Sequence, residues 1–374
     1  MKPESYFNLD DDVIYVNHAA VAPWPIATVE AVNAFANENG RMGSRHYARW
    51  LGIEAELRER LAQLINAPSA DEIALLKNTS EGLSIIAYGI DWQAGENIVI
   101  AEGEFPSNRI VWESLQSQGV ELRLANLNAA ETPEQALLDL CDNNTRLLSI
   151  SAVQYASGLR MDLKRLGVEC KKRGILYCVD AIQQIGALSF DTQAIQADFV
   201  VADGHKWMLG PEGLALFYCH REIIPQLQLN QYGWHMVEAM GDFSKTDWRP
   251  AHTARRFECG SPNMLTIHAL HASVGVLLEL GMNLVEQQLI DRVQYLIKAF
   301  SAMDDVVIIS PIDPSRHAGI FTFRKNNINN EAMYQWLVTQ GVVCAPRGGG
   351  IRFSPHFYTP YEQLDQLAEW IAAY

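Results

Sequence analysis

Lys206 lies in Asp203-Gly204-His205-Lys206-Trp207, directly after an apolar run over 198–202 that reads as a buried strand. The glycine at 204 lets the chain leave that strand in a tight turn, so an imidazole and a single amine are presented at its exit. A lysine beside another cation and apolar walls loses part of its preference for the charged state and becomes a usable nucleophile. A lysine that merely ends a strand is ordinarily a solvated surface residue. What separates the two readings is Asp180-Ala181-Ile182-Gln183, where a second apolar strand, Ile175-Leu176-Tyr177-Cys178-Val179, ends in a carboxylate with an amide shortly after it. Apolar strands alternating with helical patterns build a parallel sheet whose strand ends face one crevice. There Asp180 and Lys206 converge, an amine able to condense with a carbonyl and a carboxylate able to keep a nitrogen protonated.

A carboxylate opposite a lysine–aldehyde adduct has a known use, which is to hold the proton on a pyridine nitrogen. With the Asp-x-x-Gln and Gly-His-Lys pair, the sequence resembles the class V aminotransferase family of fold-type-I pyridoxal-phosphate enzymes, which contains cysteine desulfurases, kynureninase and isopenicillin N epimerase. The likeness runs from about Asn17 to the C-terminus. It implies an α/β protein of the fold-type-I transferase class, with a mainly parallel sheet in a large domain and a smaller α+β C-terminal domain. It implies pyridoxal 5'-phosphate as cofactor, carried as a Schiff base on Lys206, and a carbanion at the substrate Cα for which Lys206 is the base. Asp180 is then the partner of the pyridine nitrogen, Gln183 of the phenolic oxygen, and His205 reaches the phosphate or steers a proton. Lys206, Asp180 and His205 are the catalytic set.

The elements that must position these groups alternate along the chain. Helical periodicity over 27–37 and 53–65 precedes a strand at 72–76, and Lys77-Asn78-Thr79-Ser80-Glu81-Gly82 then opens an apolar helical run. Hydroxyls there can simply cap the helix, but free amides and the positive dipole end also make a phosphate site. The resemblance assigns the cofactor phosphate to Thr79, Ser80 and the amides that follow. A strand at 97–101 leads into Glu104-Phe105-Pro106-Ser107-Asn108, where the family position stacks a ring on the pyridine, which makes Phe105 the stacking candidate. Strands at 120–125 and 146–153 and a helix near 134–140 continue the pattern. The second of those strands ends in Gln154-Tyr155, of which the resemblance makes Gln154 the contact to the phenolic oxygen, with Tyr155 as the alternative register. Helix 162–173 and the strand to Asp180 close a βαβ unit, and 213–218 gives one more strand.

Residues 221–256 show no period and read as a long connection reaching the site or a partner subunit. The loop Glu258-Cys259-Gly260-Ser261 matches one that in the family bonds the phosphate of the neighbouring subunit, here through Ser261. The resemblance therefore implies a homodimer with shared active sites. Near the N-terminus, His18 follows a short strand at 13–16 and lies where the family covers the site mouth. It is either a substrate contact or a packed histidine. Helices over 267–280 and 284–299 are followed by strands at 306–309, 319–323, 342–345 and 351–354, a helix over 331–339 and a last helix over 361–373. The division expected is 18–260 for the large cofactor-binding domain and 1–17 with 261–374 for the small one. In the latter, Arg347-Gly348-Gly349-Gly350-Ile351-Arg352 carries an arginine, Arg352, where the family binds the substrate carboxylate; a guanidinium does so through two parallel bonds.

Composition sets the limits. The formal charge of −15, from 29 basic and 44 acidic residues, argues against nucleic acid and anionic membrane surfaces as partners. The resemblance implies an amino-acid or amine substrate. None of the 6 cysteines has metal-ligand or CxxC spacing, so no metal is expected, and Cys178 and Cys219 read as buried fillers. Met1-Lys2-Pro3-Glu4-Ser5 lacks a leader pattern and no apolar run spans a bilayer, which makes cytoplasmic the default. A nicotinamide enzyme would need GxGxxG after its first strand, and none is present; a scaffold that had lost its chemistry would not need Lys206 and Asp180.

The reaction class turns on a thiol. A desulfurase needs a thiolate on a flexible loop shortly before the carboxylate-binding arginine. The segment 347–351 holds none, and Cys344, the only one nearby, sits in what reads as a buried strand. The nearer likeness is to the isopenicillin-N-epimerase-like branch, through the 104–108 segment and Arg352-Phe353-Ser354-Pro355-His356-Phe357-Tyr358. Epimerase, lyase and transaminase outcomes stay open, with cysteine desulfuration at Cys344 as the alternative. Asp203 departs from the hydroxyl that desulfurases tend to carry there, since a carboxylate repels a phosphate.

Overall fold

The computed structural model describes residues 3–374; Met1 and Lys2, the start of the stretch read as leaderless, lie outside it. The chain enters through strand β1 (Ile14–Tyr15) and the helices α1 (Ile26–Met42) and α2 (Tyr47–Leu64). It then alternates: β2 (Ile73–Leu76), α3 (Thr79–Gly89), β3 (Asn97–Ala101), α4 (Ser107–Glu113), β4 (Glu121–Ala125), α5 (Pro133–Asp139), β5 (Thr145–Ser151), α6 (Leu163–Arg173), β6 (Leu176–Asp180), α7 (Thr192–Ile195), β7 (Phe199–Asp203) and β8 (Ala215–Cys219). These strands form one sheet of seven in the order β2-β8-β7-β6-β5-β3-β4. Only β8 runs against its neighbours β2 and β7; the rest is parallel, as the alternation requires.

Strand periodicity explains why the central strands read as unbroken apolar runs. Successive side chains point to opposite faces, so Tyr177 and Val179, with Val200 and Ala202, enter one core, whereas Cys178, Phe199 and Val201 enter the other. A sheet covered on both faces has no polar side to show. Helix α8 (Met264–Leu280) puts Met264, Ile267, Leu270 and Val274 into the first core, against α1 and α2, and so packs with the large sheet.

The second layer is an antiparallel sheet, β12-β13-β10-β9, made of β9 (Val306–Ile308), β10 (Phe321–Lys325), β12 (Ala345–Arg347) and β13 (Gly350–Phe353). Helices α9 (Met282–Ser301), α10 (Asn330–Thr339) and α11 (Tyr361–Ala373) cover it, and Phe300, Phe321, Phe323 and Phe353 meet at its centre. The single strand expected over 342–345 is broken at Cys344: β11 (Val342–Val343) leaves the sheet to pair in parallel with β1. The chain start is thereby stitched to the small layer, and Asn17 makes a separate bridge to Ser354, just past β13. Beyond it, the amide of Ala22 donates to the carbonyl of His205 at 2.8 Å, so the segment after β1 runs along the seam between layers and reaches the lysine turn.

The long connection over 221–256 is irregular, as expected, apart from short 3-10 turns. It is pinned by a buried ion cluster. Arg58 on α2 donates to Glu54 at 2.5 Å and to Glu258 at 2.7 Å, and His235 lies 3.5 Å from each carboxylate. Carboxylates and an imidazole are residue types that hold a divalent cation, but Arg58 already sets a positive charge against both acids. Among the described residues, no single helix is long and apolar enough to cross a membrane.

Candidate active site

Register brings the carboxylates and the lysine together. Asp180 ends β6 and pairs with Val201 of β7, and Asp203 ends β7. The turn that follows is held by the amide of Gly204 on the carbonyl of Leu214 at 2.9 Å, and by that of Gly210 on the carbonyl of Gly204 at 2.8 Å. Glycine is needed at 204 for closeness rather than for an unusual torsion: a Cβ there would meet Leu270 at 3.0 Å and the Leu214 carbonyl at 3.1 Å. The left-handed residue of the turn is Leu209, at φ 62°.

Lys206, Asp180, Gln183, His205, Thr79, Ser80, Phe105 and Arg352 all line one cavity of about 330 Å³. A larger cleft of about 560 Å³ lies around Arg160 and Arg316 and holds none of the expected site residues. Lys206 is buried, which pulls its pKa down to about 8 against the attraction of Asp180. Asp180 is also buried, and desolvation pushes its carboxyl up to about 7, although Oδ1 accepts the Ile182 amide at 3.1 Å. The Lys206 ammonium lies 5.7 Å from the centroid of Phe105, whose ring meets Tyr155 edge-on at 5.2 Å. Gln183 is braced at both ends of its amide, donating to the Ala19 carbonyl at 3.0 Å and accepting from the Trp207 indole at 2.8 Å.

The far end of the cavity is the start of α3. Its cap is Asn78, whose side chain accepts the Glu81 amide at 2.9 Å. Capping therefore does not consume the hydroxyls: Thr79 Oγ1 is buried with no partner and Ser80 donates to Ser107 at 2.9 Å. Asp203 turns inward. It accepts the Thr79 amide at 3.2 Å through one oxygen, while the other is unpartnered at 3.4 Å from His205 Nδ1.

Three expected residues are elsewhere. His18 is fully buried, bonded through Nδ1 to the Ser354 carbonyl at 2.9 Å and through Nε2 to the Tyr358 hydroxyl at 2.7 Å; it is the packed histidine, and its neighbours Ala19, Ala20 and Val21 line the cavity instead. Gln154 gives its amide to Glu104 at 3.0 Å. Glu104 also accepts from Asn108 and from Ser151, a buried acid drawing the amide to itself, and Tyr155 takes the place on the cavity wall. Ser261 is exposed, accepts from the Trp234 indole at 3.3 Å, and lies outside this chain's cavity.

Arg347 is the lining residue that sequence reasoning passed over. Gly348 and Gly349, at φ 62° and 77°, form a two-residue turn of the kind that demands positive torsions. Ala345 then pairs with Arg352 and Arg347 with Gly350. Directly paired residues share a face, as do residues two apart on a strand, so both arginines face the same way. The Gly-Gly pair flanked by strand residues was the available signal.

A phosphorylated pyridine aldehyde is tested by these unpaired atoms. An amine close to its neutral form, a buried carboxyl, an unused buried hydroxyl at a helix start and an exposed ring beside the amine fit its functional groups. Asp203, a carboxylate beside the start of α3, opposes its phosphate. The sequence profile of the family Aminotransferase class-V matches residues 14–367. A probable cysteine desulfurase of Methanothermobacter thermautotrophicus is 30% identical over 96% of this chain and 94% of its own length. Among solved structures, the cystine C-S lyase C-DES in complex with cysteine persulfide superposes with TM-score 0.89 at 22% identity, over 97% of this chain and 98% of that one. The cysteine desulfurase CsdA of Escherichia coli does so with TM-score 0.87 at 22% identity, over 99% and 96%.

Proposed function

The chain belongs to the class V aminotransferases, a family of pyridoxal-phosphate enzymes of fold type I, and from that premise we propose that it acts at the Cα of an amino acid whose carboxylate is bound by Arg352, without a protein thiol in the chemistry. The carrying observation is the convergence of Lys206, Asp180 and Arg352 on one cavity that no cysteine lines among the described residues. When bound, pyridoxal phosphate supplies the electron sink for charge developing at Cα. The Thr79 and Ser80 hydroxyls and His205 would hold its phosphate, Phe105 its ring face and Asp180 its ring nitrogen.

Lys206 is the attachment point and the base. With burial holding its pKa at about 8, about a tenth of it is neutral at pH 7 and about half at pH 8, and the freed amine takes the Cα proton. Arg352 is buried with its Nε unpaired, and one terminal nitrogen donates to the Tyr155 carbonyl at 2.8 Å. A substrate carboxylate satisfies what is left and fixes Cα relative to Lys206. Epimerisation, elimination and transamination differ in where the proton returns or which bond then breaks.

Cysteine desulfuration is the second reading, favoured by the names of the relatives. It requires Cys344, but this thiol is buried in the core of the small layer, where desolvation pushes it up to about 12. A sulfur substrate handled by elimination needs no such thiol. We also infer a twofold dimer, in which Ser261 serves the partner's phosphate; exposed Val21, Trp24, Ile26 and Val29 near the cavity mouth supply apolar surface for it. The test is borohydride reduction of the yellow protein followed by peptide mass spectrometry. The adduct is expected on Lys206 and is lost in Lys206→Ala; an adduct on another lysine overturns the reading.

A further inference from the structure

Resting on the reading of an amino-acid substrate held by Arg352, we propose that this substrate carries a second acidic group, which Arg347 binds. Both guanidinium-bearing residues line the Lys206 cavity, and among the described residues neither has a carboxylate partner. Arg352 gives one nitrogen to a backbone carbonyl and keeps its Nε free, and Arg347 donates only to the carbonyl of its own neighbour Pro346 at 2.8 Å. The chain does not lack acids for them, with 44 acidic residues against 29 basic, and Arg58, Arg109, Arg123, Arg160 and Arg316 all pair with carboxylates. Glu212, the exposed carboxylate of the cavity wall, makes no ion pair with either arginine.

The arrangement is built, not incidental. The Gly348-Gly349 turn fixes the register that puts Arg347 and Arg352 on one face of the β12–β13 hairpin. A Cβ on Gly348 would meet the Ala156 carbonyl at 3.1 Å, so the turn lies against the chain just past Tyr155, on the cavity wall. The exposed Arg347 adds its charge to a buried neighbour: burial and then Arg347 lower the pKa of Arg352 to about 10. A single carboxylate relieves one of these charges, whereas a dianionic substrate relieves both. Side-chain carboxylates, sulfinates and the distal carboxylate of a disulfide-linked amino acid share this chemistry.

The experiment uses the pyridoxal-phosphate-loaded enzyme and titrates the cofactor absorbance with L-aspartate, L-cysteine sulfinate and L-cystine, against L-alanine and L-cysteine. The diacids are expected to bind at least about tenfold more tightly than the monoacids, as for one added charge-assisted pair. The L-aspartate, sulfinate and L-cystine arms separate a side-chain acid from a distal one. Arg347→Gln is expected to collapse the diacid-to-monoacid ratio to within about threefold, and Arg347→Lys to restore part of it. A ratio near one in the parent enzyme, or one that Arg347→Gln leaves intact, overturns the proposal. Arg352→Gln separates the two levels of argument: if it weakens neither class, the carboxylate site itself is wrong and this inference falls with it.

Discussion

Replacing Asp180 by asparagine in the cofactor-free protein is expected to stabilise the fold at pH 8 and to do so less at pH 5. Burial raises the Asp180 carboxyl from 3.8 to about 7, so the folded state holds this proton more tightly than the unfolded chain. The folded protein is therefore penalised where the group must ionise: nothing is lost below pH 3.8, the cost grows with pH, and it is complete above about 7. The gap between 3.8 and about 7, at about 1.4 kcal/mol per pH unit, is about 4 kcal/mol. Asparagine removes the penalty and keeps an oxygen to accept the Ile182 amide, now at 3.1 Å. Against this stands Lys206, which loses its nearest counter-charge. Its own pKa is already down at about 8, so at pH 8 it can shed its proton and most of the gain survives, about 2 kcal/mol or more. At pH 5 the folded carboxyl is still protonated, so Lys206 loses no counter-charge there and the gain is only the remaining penalty, about 1.6 kcal/mol. Chemical denaturation of both proteins at the two pH values measures this, and the same variant is expected to lose turnover once loaded with cofactor. An Asp180→Asn protein less stable than the parent at pH 8, or a difference equal at pH 5 and 8, would refute the reasoning.

Cys344→Ser is expected to leave release of sulfide from L-cysteine, if any occurs, within about twofold, while costing roughly 1–2 kcal/mol for a hydroxyl set in an apolar core; loss of that release in a folded variant would make Cys344 the nucleophile. Arg58→Met leaves Glu54 and Glu258 buried without their counter-charge, and a loss of about 3–5 kcal/mol is expected in urea denaturation; a change under about 1 kcal/mol would mean that His235 alone satisfies both acids.

Much of the site was legible because its chemistry is written at strand ends. An apolar run that stops at a carboxylate, and another that stops before Gly-His-Lys, need only the parallel-sheet rule to be brought to one crevice, and Asp180 and Lys206 meet there. The alternation of elements was equally readable, since the central strands are apolar on both faces and most helices are amphipathic or capped. Side-chain partners far apart in sequence were not readable. Glu104 takes Gln154 out of the cavity across 50 positions, and Tyr358 and Ser354 close around His18 across more than 330. The break at Cys344 depends on β11 preferring β1 to its own sheet, a choice that no local pattern records. Arg347 lies between these extremes: its residue type and the Gly-Gly turn are in the sequence, but only the closed hairpin, laid against the chain beyond Tyr155, turns both arginines toward Lys206. Local order follows from the period of the apolar residues, whereas which polar group meets which is decided by the packing that brings distant strand ends, loops and layers into contact.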